Sequence, residues 1–345
     1  MPAEGVDLEA LRPWFAAHVA GATGAPLEAE LIAGGRSNLT YVVSDGSQSW
    51  VLRRPPLGHV IQTAHDMRRE YTVLAALGPT DVPVPEVFAF SDDRVLGAPF
   101  YVMERVEGRI LRTREEMAQL SADEARACST SLVDVLATLH HVDYQAVGLG
   151  DFGRPDGFLA RNVARWGKQW QANQTRELPA LDEVARRLDA ALPTSGPAAI
   201  VHGDYRLDNT MLAPDDPGRI VAVLDWEMST LGDPLTDVGL LLVYWGGGSQ
   251  LATLTAQGVG DVPGFFTRDE VIARYAETSG RDVAHLDFYE VFAMYKLAII
   301  VEGIQARFLM GKTLGEGFAD MSAMIDGLAA QALHLADTSE DAALH

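Results

Sequence analysis

Residues 199–226 constrain the fold more than any other part of the chain. There a β-forming stretch interrupts sequence that otherwise reads as helix from about residue 106 onward. It runs through Ile200, Val201, His202, Gly203 and Asp204, reaches Asn209 five residues later, turns at 214–218, and ends an apolar strand at Asp225. Asp204 and Asn209 share one loop and can face a single cleft, while a hairpin return sets Asp225 beside Asn209. A lone loop aspartate is ordinarily a cap or turn residue, and Asp208, Asp215 and Asp216 are read that way. The spaced trio fits phosphoryl transfer, which needs a carboxylate to orient an attacking hydroxyl and oxygen ligands for magnesium on the phosphates.

The sequence before residue 106 has a different texture. A helix over 8–20 precedes three β-rich segments, 28–33, 39–44 and 48–53, the last two flanking the hairpin signal Asp45-Gly46. A helix over 64–77 follows, with Met67, Tyr71, Leu74 and Leu77 on one face and Gly78-Pro79 as its stop. Two more strands are expected at 86–90 and 99–103. Beyond a hinge at 103–108, Ser121 and Glu124 form a capping box for a helix to about His141, and a second helix over 156–174 carries Trp166 and Trp170. The polar residues 336–345 are expected to fray.

His202-Gly203-Asp204 with Asn209, then Asp225, then Gly232-Asp233-Pro234 and Asp237, resemble the catalytic core of the kinase fold in its aminoglycoside phosphotransferase and choline kinase branch. Within that branch, Val51 to Pro56, Arg69-Glu70-Tyr71 and residues 152–170 are most similar to the phosphotransferase-like domains linked to acyl-CoA dehydrogenases. The resemblance implies an α+β, bilobal, protein-kinase-like fold. A small β-rich nucleotide-binding lobe would occupy 1–105, and a large, mainly helical catalytic and acceptor-binding lobe 106–345. It also implies roles. Asp204 orients the acceptor hydroxyl and takes its proton, and Asn209 and Asp225 ligate Mg²⁺. Arg53 stands where kinases carry a phosphate-binding lysine, Glu70 is its ion-pair partner, and Ser37 adds a phosphate donor, with Arg36 beside it. The backbone of Met103, Glu104 and Arg105 meets the adenine. His202 is expected to order the backbone and Asp237 to buttress the loop. Arg54 should point to the other face of its strand.

The implied activity is ATP- and Mg²⁺-dependent transfer of the γ-phosphate to a hydroxyl of a small molecule, either a hydroxyacyl compound or an aminoglycoside-like one; GTP stays open as the nucleotide. The alternative is a nucleotide-binding pseudokinase or interaction module without turnover. Two departures keep it alive: only Gly34-Gly35-Arg36-Ser37-Asn38 stands in for a glycine-rich loop, and Arg replaces Lys at position 53. Trp166 and Trp170 are read as core before substrate cage, and Arg161 as a weaker candidate for an anionic substrate. Tyr295, Glu302 and Arg307 are open between walling the acceptor pocket and packing.

Charge narrows the partners. With 27 Lys and Arg against 48 Asp and Glu, the net charge of −21 disfavours nucleic acid and anionic membranes. Segment 202–237 alone holds eight carboxylates against Arg206 and Arg219. Cys128, the only cysteine of the 345 residues, excludes an intrachain disulfide. Together with the absence of a secretory pattern at the first residues, that gives a cytoplasmic expectation. The oligomeric state is not legible.

Overall fold

Five short strands, β1 (Glu28–Leu31), β2 (Leu39–Ser44), β3 (Ser49–Arg54), β4 (Val87–Ser91) and β5 (Phe100–Glu104), pair antiparallel in the order β1-β2-β3-β5-β4. The computed structural model describes residues 4–32, 38–57, 66–246, 258–310 and 321–345. Side chains alternate across a strand, so this sheet has two distinct faces. Tyr41, Val43, Trp50, Leu52, Phe100 and Val102 form one core with Leu11 and Phe15 of α1 (Leu8–His18). Val51, Tyr101 and Met103 face the other way, against Met67, Val73, Leu74 and Leu77 of α2 (Met67–Leu77) and onward into the helical part. Helix α1 starts where the Asp7 carboxylate accepts the N–H groups of Glu9 and Ala10. Asp66 does the same for Arg69 in α2, so α2 begins at Met67; the expected residues 64 and 65 lie outside the described ones.

The chain then crosses to the helical part. Arg109 exchanges two backbone hydrogen bonds of 2.8 Å with Leu212, which ties the linker to the interrupted β-rich stretch. Gly108 is needed beside this crossing, because a Cβ there would stand 2.8 Å from the Leu212 carbonyl oxygen and closer still to the Met211 side chain. The expected capping box of Ser121 and Glu124 opens α3 (Ala122–His141), followed by α4 (Phe158–Asn173) and α5 (Pro179–Ala190).

The β-rich stretch resolves into two separate two-stranded units: β6 (Ala199–Val201) with β9 (Thr230–Gly232), and β7 (Thr210–Ala213) with β8 (Asp216–Val223). Helices α6 (Leu235–Trp245), α7 (Arg268–Ser279), α8 (Leu286–Leu309) and α9 (Met321–Thr338) complete the described chain. Their packing with α4 and α5 makes a further core around Trp170, Phe288, Tyr289, Tyr295 and Ile325. Cys128 is buried in the core around α3, and burial pushes its thiol up to about 12.

The C-terminal residues do not fray. Leu344 is fully buried against α5 and α9, Arg187 bonds the Asp337 carboxylate at 2.7 Å, and His285 meets Asp341 at 2.7 Å. One apolar side chain and two carboxylates with partners outweigh the polar composition that suggested otherwise. Among the described residues no helix is long and apolar enough to cross a membrane.

Candidate active site

Strand parity delivers the first component. Arg53 and Tyr101 are direct cross-strand partners on the sheet face turned toward the helical part. Both reach the same buried carboxylate on α2: Arg53 Nε lies 3.0 Å from Glu70 Oε2, and the Tyr101 hydroxyl donates to that oxygen at 2.9 Å. Glu70 Oε1 accepts from Asn38 Nδ2 at 2.9 Å, and the same nitrogen reaches Glu227 at 3.2 Å. Burial raises the Glu70 pKa and Arg53 draws it back down. For Arg53 burial works against the charge, yet the Tyr101, Glu70 and Asp225 oxygens prevail and its pKa is raised. Arg54, one residue on, lies on the opposite face, where its guanidinium meets the Gly5 carbonyl oxygen.

The second component is the turn at 202–204. Gly203 sits at φ +85°, and a Cβ there would come 2.6 Å from the Met228 carbonyl oxygen, so only glycine fits. Asp237, in the first turn of α6, accepts the N–H groups of His202 and Gly203, each at 2.7 Å. His140 braces that carboxylate at 3.3 Å. Burial works against the Asp237 charge, but these donors outweigh it and its pKa is lowered. Both His202 nitrogens are committed: Nδ1 accepts the Asp204 N–H at 3.2 Å, and Nε2 donates to the Leu224 carbonyl at 2.9 Å. The ring also lies 4.6 Å from that of Trp226. His202 therefore orders backbone and has no free nitrogen for proton transfer.

Asn209 donates its amide N–H to both the Asp204 carboxylate, at 2.9 Å, and the Asp204 carbonyl, at 2.8 Å. That leaves its carbonyl oxygen as the unspent end of the amide. Leu224, the neighbour of Asp225, donates its N–H to the main-chain carbonyl of Asn209 at 2.8 Å, so the two loops are stitched together. Asp225 has φ 65° and ψ 64°, the only non-glycine positive φ among the described residues. One of its oxygens meets Arg53 at 2.6 Å. An amide oxygen and a carboxylate on two loops joined in this way are the donor types that a hard divalent cation takes, together with phosphate oxygens and water.

Asp204 is partly buried. Burial raises its pKa, opposed first by Arg206, which lies 3.4 Å away, and then by His202 and Lys296. Beside it, Lys296 of α8 donates to the Gly203 carbonyl at 3.2 Å. Burial lowers the Lys296 pKa, and Asp204 and Asp237 oppose that fall. A cavity of about 410 Å³ opens here, with Gly203, Lys296, Trp166, Arg161 and Arg165 in its wall.

Ser37 and Arg36 lie outside the described residues. Met103 buries its side chain in the core, and the Glu104 N–H already donates to the Glu86 carbonyl at 2.7 Å, so that N–H is not open to a base. Arg105 lies just past the end of β5 and reaches Ser49 with its side chain. Trp170 is core, donating to Asp182 at 2.7 Å, whereas Trp166 reaches the cavity wall. On α8 the cavity is walled by Phe292, Ala293 and Lys296. Tyr295 is instead buried, and Glu302 caps Thr175 through its N–H at 2.6 Å. The sequence gives no role to Arg165, and it marks Asn38 and Arg69 only as members of quoted stretches. Arg69 bonds the carbonyls of Ser229 and Phe152 and so ties α2 to the helical part. The only signal for Lys296 was its interruption of an apolar run.

Comparison with known proteins gives the family. Residues 28–273 match the family described as "Phosphotransferase enzyme family" (APH). Acyl-CoA dehydrogenase family member 11 of Rattus norvegicus is 34% identical over 324 residues, covering 92% of this chain and 41% of the relative. The chain thus spans less than half the length of that protein. The crystal structure of a candidate aminoglycoside phosphotransferase from Ralstonia eutropha superposes with a TM-score of 0.84 at 34% identity, covering 97% of this chain and 99% of that one. A choline/ethanolamine kinase family protein from Mesorhizobium loti shares the fold, with a TM-score of 0.60 at 21% identity and 97% coverage of each chain. The α+β bilobal architecture is the kinase-like one. This chain belongs to the phosphotransferase enzyme family, in the group whose relatives include the phosphotransferase-like part of acyl-CoA dehydrogenase family members 10 and 11.

Proposed function

We propose that the protein is a small-molecule kinase that transfers the γ-phosphate of ATP to an alcohol, with residues 1–105 forming the nucleotide lobe and 106–345 the catalytic and acceptor lobe. The observation that carries this reading is the bond from Asn209 Nδ2 to the Asp204 carboxylate at 2.9 Å. It holds the carboxylate that would accept the proton and leaves the Asn209 amide oxygen available to a cation. Asn209 and Asp225 would hold Mg²⁺, which neutralises charge on the transferring phosphate. Arg53 would hold the nucleotide phosphates, oriented by Glu70 and Tyr101.

In the transfer, the acceptor oxygen forms a bond to the γ-phosphorus while the bridging bond to the β-phosphate breaks. The hydroxyl proton passes to the Asp204 carboxylate, and ADP leaves with the bonding electron pair. The resemblance to acyl-CoA-dehydrogenase-linked domains supports a hydroxyacyl acceptor, with an aminoglycoside-like one as the competing choice. Incubation with ATP and Mg²⁺ against a panel of hydroxylated acceptors, read by mass of the product, should show one phosphoryl group gained by some acceptor.

The 2.6 Å pair between Arg53 and Asp225 favours a second reading, a nucleotide-binding module without turnover. In that case the pair would persist, nucleotide would raise the melting temperature, and no acceptor would be phosphorylated.

A further inference from the structure

The cavity at Gly203, the residue before Asp204, is lined by cations with no carboxylate at salt-bridge distance among the described residues. Arg154, Arg161, Arg165 and Lys296 all face it, and none forms an ion pair with a carboxylate among the described residues. Arg161 reaches only the carbonyls of Asp156 and Arg154, Arg165 bonds the Asn162 side-chain oxygen at 2.9 Å, and Lys296 bonds the Gly203 carbonyl. Such a set is improbable by chance in a chain with 48 acids against 27 bases. Elsewhere Arg53, Arg126, Arg176, Arg187, Arg268 and Arg274 each find a carboxylate.

The clustering begins in α4, which carries Arg161, Arg165 and Lys168 at spacings of four and three on one face and contains no Asp or Glu. Lys168 joins Arg161 and Arg165 in an adjoining open groove. The cavity's own acids are engaged elsewhere: Asp237 by the His202 and Gly203 N–H groups, and Glu227 by Asn38. Burial disfavours the charge of both Lys296 and Arg165, and Arg165 adds to the effect on Lys296. An oxyanion at these side chains would favour both charges.

We infer that this cavity binds the acceptor through an oxyanion, a carboxylate or phosphate held by Lys296 and the Arg161/Arg165 face of α4. The substrate is then an alcohol that also carries such a group, and polycationic aminoglycosides are excluded. This rests on the phosphotransferase reading for the hydroxyl, but not for the anion. Lys296 bonds the residue that precedes Asp204, so an oxyanion there places a hydroxyl of the same small molecule next to the proton acceptor.

Isothermal titration of the full chain with 3-hydroxybutyrate, glycerol 3-phosphate, choline and kanamycin tests this, with and without AMP-PNP and Mg²⁺. Binding of one or both anionic alcohols is expected, with none by choline or kanamycin, and the preferred one distinguishes carboxylate from phosphate. Added salt should weaken it. Lys296→Met and Arg165→Gln should each weaken the anion about tenfold or more, as for loss of a charge-assisted hydrogen bond. Lys296→Arg should restore most of the affinity, which a purely structural role for the lysine would not predict. Because Arg165 is exposed, its variant reports even if Lys296→Met fails to fold. Equal binding of choline or kanamycin, or unchanged anion affinity in both variants, would overturn the inference. Anion binding without phosphate transfer to any acceptor would sustain the anion site and refute the kinase reading instead. Transfer only to cationic or neutral acceptors would do the reverse.

Discussion

Arg53 and Asp225, 172 positions apart in sequence, meet at 2.6 Å and join the strand sheet to the loop that follows β8. Arg53 simultaneously contacts Glu70, so one guanidinium spans the cleft in which phosphates are proposed to lie. A planar fork can address two carboxylates at once, which an ammonium does less well.

Arg53→Gln should therefore lower kcat/KM for ATP by roughly 10²-fold, and Arg53→Lys by less, since charge returns without the fork. Steady-state kinetics with ATP varied would check this. Equal activity in all three proteins would remove Arg53 from nucleotide handling.

Asp237 makes the turn at 202–204 costly to disturb. In Asp237→Asn one backbone N–H loses its acceptor in a buried site, and the loss should be about 2–4 kcal/mol by denaturant unfolding. The wild-type carboxylate has a lowered folded pKa, so its stabilisation is present above the unfolded carboxylate value and is lost as pH falls through the folded one. That part of the acid dependence should vanish in the variant.

Much of this was legible beforehand because it rests on local patterns. The alternation that separates Arg53 from Arg54, the Ser121–Glu124 box and the spacing of Asp204, Asn209 and Asp225 each depend on residues close in sequence. The cavity wall was not legible. Lys296 and Arg165 come from helices α8 and α4 far apart in sequence, and which turn of α8 faces the cavity depends on packing that periodicity alone does not give. Hence the sequence points to Tyr295, the neighbour of Lys296 but not on the cavity wall, and to Glu302, nearly two turns further on. The C-terminal residues misled through composition, since one buried leucine and a few paired carboxylates suffice to dock them.

That docking has a measurable cost. Leu344→Ala should destabilise the fold by about 2 kcal/mol, seen as a lower urea midpoint with unchanged slope. No change would mean that the terminus frays after all.

Asp204 should titrate above an ordinary carboxylate, because burial disfavours its charge. Activity that needs the ionised form then falls as pH drops through this raised value. Arg206 is the strongest opposing influence, so Arg206→Gln should move the acid limb of kcat/KM to higher pH. A limb that stays put would separate Asp204 from the titrating base.

The central claim is that Asp204 receives the proton of an alcohol that is being phosphorylated. Its most direct measurement is Mg²⁺-dependent phosphoryl transfer from ATP to hydroxylated acceptors by the wild type and by Asp204→Asn, with AMP-PNP affinity and melting temperature measured on both. The account predicts transfer by the wild type, a loss of about 10³-fold or more in kcat for the variant, and nucleotide affinity kept in both. Undiminished transfer by a folded Asp204→Asn protein, or none by the wild type across the panel, would contradict it.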